Sequence, residues 1–69
     1  MSFNYAKLLG RIKEYGYTQE TLSREIGMSE STLSQKLNGK FAFKQNEIIA
    51  ICNILDLDIS DIGVYFYAN

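Results

Sequence analysis

The stretch TQETLSREIGMSESTLSQKLN, residues 18–38, leaves the chain little freedom, because it reads as two short amphipathic helices hinged on a single glycine. Thr18 is a candidate N-cap, with Glu20 and Thr21 in the first turn, where a carboxylate suits the positive end of the helix dipole. Leu22 and Ile26, four apart, supply the apolar stripe, and small Ser23 between them lets a second helix cross closely. Gly27 follows the last apolar residue, where a left-handed C-cap costs least for a residue without Cβ. Met28 is expected in the core, and Ser29 caps a second helix running to about Leu37 or Asn38. Only Leu33 and Leu37 are apolar there; Glu30, Ser31, Thr32, Ser34, Gln35 and Lys36 make up the rest. One narrow seam thus holds the second helix, and a broad polar face looks outward, the shape needed to read base edges in a major groove. The expected motif is a helix-turn-helix.

Sixty-nine residues make one domain, near the lower size at which a chain buries a core without staples. With no histidine and the single Cys52, a disulfide within the chain is excluded and a zinc site lacks ligands. Cys52 falls in an apolar helical run and reads as a small buried hydrophobe. Acid-base chemistry has no histidine, and neither a phosphate loop nor a nucleophile beside a base is present, so no enzyme, cofactor, metal or small-molecule substrate is expected. The start Met1-Ser2-Phe3-Asn4 carries no secretory pattern, and no apolar run nears a membrane span, so a cytoplasmic (or, in a host that has one, nuclear) protein is expected. The formal net charge is -1, but it is unevenly spread. Residues 1–44 hold all seven Lys and Arg against four Glu, a balance of +3, whereas residues 45–69 hold four acids and no base. The positive part carries the helix-turn-helix, as a phosphate-facing surface requires, although the acids of the other part can equally serve solubility.

Around this motif, the spacing predicts a first helix from Tyr5 to about Tyr15, capped by Asn4, with Leu8, Leu9, Ile12 and Tyr15 inward and Lys7, Arg11, Lys13 and Glu14 in water. Tyr17 stands where a hydrophobic staple partner belongs, and its hydroxyl also has reach to a phosphate. After the corner Asn38-Gly39-Lys40, one of Phe41 and Phe43 fills the space beneath the second motif helix. A fourth helix is expected from about Gln45 to Leu55, with Ile48, Ile51, Cys52 and Leu55 inward; its cap is either Lys44, which offers no acceptor, or Asn46. Ser60 or Asp58 caps a brief fifth helix in which Ile59 and Ile62 pack against the fourth, and the aromatic tail, residues 64–69, must fold back or meet another chain. The fold class is all-α, five short helices with the helix-turn-helix at the second and third.

Gln19, Leu22, Ser23, Ile26, Gly27, Ser29, Leu33 and the closing Asn38-Gly39-Lys40 resemble the Cro and repressor family of phage helix-turn-helix proteins, the lambda-repressor-like fold, over most of the chain. The short length and the ending Ile62-Gly63-Val64-Tyr65-Phe66-Tyr67 are similar, more narrowly, to small Cro-type repressors from phages of Gram-positive bacteria. Two features depart from the pattern: many members place a large apolar residue where Lys36 stands, and many are basic overall. From family resemblance, Phe43 is the phenylalanine that fills the core. The resemblance also implies that Gln19, Asn38, Gly39, Lys40 and Lys44 contact phosphates, with Arg11 or Lys36 adding charge, and that Glu30, Ser31, Ser34 and Gln35 face bases. Gln35 can then bond adenine in bidentate fashion, while Glu30 either accepts from cytosine or only complements the helix dipole. The implied partner is a pseudo-palindromic DNA operator bound by a homodimer, weak in solution and favoured on DNA, with Val64, Tyr65, Phe66 and Tyr67 as the dimer interface. The competing reading is a helix-turn-helix module for protein interaction, an antirepressor or antitoxin part, which the acidic second half favours and the polar motif helix opposes.

Overall fold

The computed structural model describes residues 5–67, so the Asn4 cap and the last two residues of the tail lie outside the described residues. The chain is all-α: α1 (Ala6–Glu14), α2 (Gln19–Ile26), α3 (Glu30–Leu37), α4 (Gln45–Ile54), a 3-10 turn (Ile59–Asp61) and α5 (Ile62–Phe66). None of these helices is long and apolar enough to cross a membrane.

Helix starts and stops follow from named side chains. Thr18 Oγ1 accepts from the Thr21 amide while Thr21 Oγ1 accepts from the Thr18 amide, a reciprocal capping box that starts α2. Gly27 ends it in the left-handed conformation at φ 80°, and the turn of Gly27, Met28 and Ser29 leads directly into α3. At α4 the predicted choice between Lys44 and Asn46 resolves to Lys44, the cap residue by backbone position, and Glu47 reaches back to accept its amide at 2.8 Å. Asp58, rather than Ser60, caps the 3-10 turn by accepting from the Ser60 amide.

The core holds Leu8, Ile12, Leu22, Leu33, Leu37, Ile48, Ile51, Cys52, Leu55 and Phe66, with Tyr5 over α1. Burial first, and the Asp61 carboxylate second, push the Cys52 thiol up from its ordinary range, as befits a packing residue. Phe43 packs half-buried against this cluster, edge-on to Tyr5 and to Phe66 with both centroid separations 5.5 Å, while Phe41 stays exposed. Three predicted core placements are corrected. Leu9 and Tyr15 are exposed because α1 is covered along one narrow stripe, and Ile59 is 75 % exposed because the 3-10 turn holds it off α4. Tyr15 carries Arg11 instead, whose guanidinium lies 4.5 Å above its ring.

Arg11, predicted to stay in water, crosses to the far end of α4 and donates from Nε to the Leu55 carbonyl at 3.1 Å and from Nη2 to the Asp56 carbonyl at 3.2 Å. A cation there satisfies carbonyls that the helix leaves without partners and meets the negative end of its dipole. Asp56 itself is left-handed at φ 54°, and the Leu57 amide closes back on the Cys52 carbonyl at 2.8 Å, so an aspartate occupies the place where helices favour glycine. Asp56→Gly removes that strain and a carboxylate from the wrong end of the dipole, and is expected to stabilise the fold by about 0.5 to 1 kcal/mol, whereas Asp56→Val lowers stability. Thermal unfolding checks both, since 1 kcal/mol moves the midpoint of so small a domain by about 4 to 8 °C.

Candidate nucleic-acid interface

α3 starts on Ser29, whose Oγ accepts from the Thr32 amide at 3.1 Å. At roughly 100° per residue, positions 33, 36 and 37 share one side of the helix, while 30, 34, 31 and 35 sweep an arc of roughly 140° on the other. Burial follows this division. Leu33, Lys36 and Leu37 are buried, Glu30 and Ser31 are exposed, and Ser34 and Gln35 are half-buried. α3 is thus seated by three side chains and not two.

The third is Lys36, which the residue pattern placed on the polar face. It is only 7 % exposed: its stem lies against the core and its ammonium pairs with Glu47, 5.9 Å from the centre of the Phe43 ring. Its position three residues after Leu33 marks it for the seated side of the helix, although its charge points to water. Burial alone raises the Glu47 carboxyl, but the hydrogen bond from Lys36, the Lys44 amide and the two lysine charges together hold it below its ordinary value. Glu47 therefore joins α3 to α4 and caps α4 with the same oxygen.

The expected phosphate contacts divide. Gln19 sits half-buried at the head of α2, and Asn38, Lys40 and Lys44 are exposed. Gly39, at φ 81°, gives its amide to the Lys36 carbonyl, and the Lys40 amide goes to the Gln35 carbonyl. Those donors close the end of α3, so Gly39 shapes the corner and any contact with a phosphate there falls to the side chains of Asn38 and Lys40. Arg11 and Lys36 do not add free charge, because Arg11 pairs with Glu14 at 3.3 Å and Lys36 with Glu47. Arg24 pairs with Glu20 across an exposed turn of α2. Residues 18–44 carry four cations and three carboxylates, and Glu47 neutralises one of the four, leaving the motif surface balanced near zero.

Of the four tail residues expected at a dimer interface, Phe66 is 1 % exposed and belongs to the core, and Tyr65 packs half-buried against it. α5 places residues 62 and 66 on one face, so Phe66 turns inward and Val64 and Tyr67 stay exposed. No group of three or more His, Cys, Asp or Glu able to hold a metal occurs among the described residues.

These features define a small all-α protein built around a helix-turn-helix, with an outward polar arc on the second motif helix. The chain belongs to the family described as "Protein of unknown function (DUF739)", which matches residues 1–69. It is similar to the modulator of repression (MOR) of the temperate bacteriophage TP901-1 from Lactococcus lactis, whose solution structure superimposes with a TM-score of 0.81 at 42 % identity, covering 97 % of this chain and 90 % of that one. No curated protein matches the sequence.

The buried pair is open to test. Glu47→Ala leaves Lys36 uncompensated and removes the α4 cap, and is expected to cost about 3 to 5 kcal/mol, whereas Lys36→Met with Glu47→Gln stays within about 1 kcal/mol of the parent. Because the folded-state pKa of Glu47 is lowered, its stabilisation is complete above the ordinary glutamate value of about 4.3 and disappears as pH falls through the lowered value. Urea unfolding across that acidic range checks the sign, since the double variant lacks this component.

Proposed function

We propose that the chain regulates repression in a temperate phage by binding operator DNA, α3 entering the major groove in the manner of Cro-type proteins. One observation carries this reading. Among the described residues, the side chains of Glu30, Ser31, Ser34 and Gln35 make no hydrogen bond within the protein, whereas the neighbouring Ser23, Ser29 and Thr32 side chains are all engaged. Four unengaged polar groups on one arc suit the edges of bases, with Gln35 placed for adenine and Glu30 for the amino group of cytosine. Lys40 and Lys44, with Asn38 and Gln19, position the helix by contacting phosphates.

The near-zero charge of the motif makes one copy a weak binder, so two copies act on adjacent half-sites about 34 Å apart. Pairing rests mainly on the DNA, because among the described tail residues only Val64 and Tyr67 stay exposed and acidic residues beside them repel their counterparts. Such a protein acts by occupancy, without catalysis, in the cytoplasm of the bacterial host. A second reading, action on a partner protein rather than on DNA, is favoured by the same balanced charge and by the similarity to a modulator of repression.

Selection of bound sites from a random DNA pool decides between the two: a two-fold symmetric sequence supports operator binding, and no enrichment overturns it. On the selected site, Gln35→Ala is expected to lose about 1 to 3 kcal/mol and relax preference at one base pair. Two lysines per copy predict a slope of log affinity on log salt of roughly -3.6 for the pair, halved by Lys40→Ala, measured by titration at several salt concentrations.

A further inference from the structure

Beside α4 runs a groove that shares no residue with the α3 arc; it is lined by Gln45, Ile48, Ile49, Ile59, Ile62 and Tyr67. Ile49, Ile59 and Tyr67 are 46 %, 75 % and 56 % exposed, so its walls are apolar groups standing in water. A branched aliphatic residue on an exposed turn is a poor choice for solubility, and Ile59 sits between Asp58 and Asp61, both exposed. None of Asp56, Asp58 and Asp61 is paired with a cation among the described residues, and no Lys or Arg follows Lys44.

This combination selects its occupant. A second copy meeting the groove face to face sets aspartates against aspartates, and anionic lipid or a phosphate backbone is repelled in the same way. What complements an apolar trough with an acidic edge is an apolar stripe with a basic edge. We propose that the groove seats an amphipathic helix of another protein, its apolar residues at i, i+3 or i+4 and i+7 packed between Ile49, Ile59 and Tyr67, and its flanking Lys or Arg facing Asp58 and Asp61. The contact is independent of what α3 does, so it stands whether or not α3 binds DNA.

The test uses the full chain and two synthetic helical peptides of about four turns with the same leucine stripe, one flanked by lysines and one by glutamates. Isoleucine-methyl NMR is expected to show the lysine peptide shifting Ile49, Ile59 and Ile62, with affinity falling at least tenfold in Ile59→Ser and in Asp58→Asn with Asp61→Asn, and also as salt is raised. Ile59 is exposed, so that variant keeps the fold, which its unfolding midpoint verifies. Equal affinity for the glutamate peptide, unchanged affinity in the variants, or methyl shifts confined to other parts of the molecule overturns the proposal. Self-association of the parent chain that Ile59→Ser abolishes in sedimentation also overturns it, by giving the groove to a second copy.

Discussion

Lys36 carries its charge into the protein and meets Glu47, and the placement of the second motif helix depends on that pair. Leu33 and Leu37 alone would seat α3 on two apolar contacts one turn apart, a line about which a short helix can roll. Lys36 widens the seat to three positions, and its ammonium is directional in a way that methyl groups are not. Because Glu47 also accepts the Lys44 amide, the start of α4 and the orientation of α3 are set by one carboxylate. Buried pairs of this kind contribute little net stability over an apolar substitute; what they supply here is a fixed geometry for the polar arc above them.

The same economy appears at the other end of α4, where Arg11 closes the carbonyls of Leu55 and Asp56. Two of the seven cations are thereby committed to holding the fold, and a third, Arg24, is matched by Glu20. Pairing of Lys36 with Glu47 lowers the positive surplus of residues 1–44 from three to two, and leaves the motif itself, residues 18–44, near zero. Long-range attraction of the motif to a polyanion is therefore weak, so the proposed reading rests on short-range hydrogen bonding by Glu30, Ser31, Ser34 and Gln35.

The acidic half is the complementary case. Its aspartates lie within three residues of Ile59, a wall of the apolar groove, and Phe66, Tyr65 and Ile62 turn inward to complete the core that α1 and α4 leave open. The tail is thus divided by helix geometry: the residues that reach the core stabilise the monomer, and those that do not remain as surface.

By itself the sequence determined the helices, the caps of α2 and the start of α3, and the two-sided character of α3. Those are local matters: Thr18, Gly27 and Ser29 act on backbone groups within a turn of themselves, and Leu22, Ile26, Leu33 and Leu37 recur at the spacing of a helix face. Tertiary structure alone decided where charges go. Lys36 and Glu47 are eleven residues apart, and Arg11 and Leu55 forty-four, so nothing in a local pattern marks them as partners. It decided, too, that Phe66 is core while Tyr67 is surface, and that the Gly39 amide serves a helix end. A side chain's character is written in the sequence, but whether its charge or its ring meets water depends on what packs against it, and that is known only when the distant parts of the chain have come together.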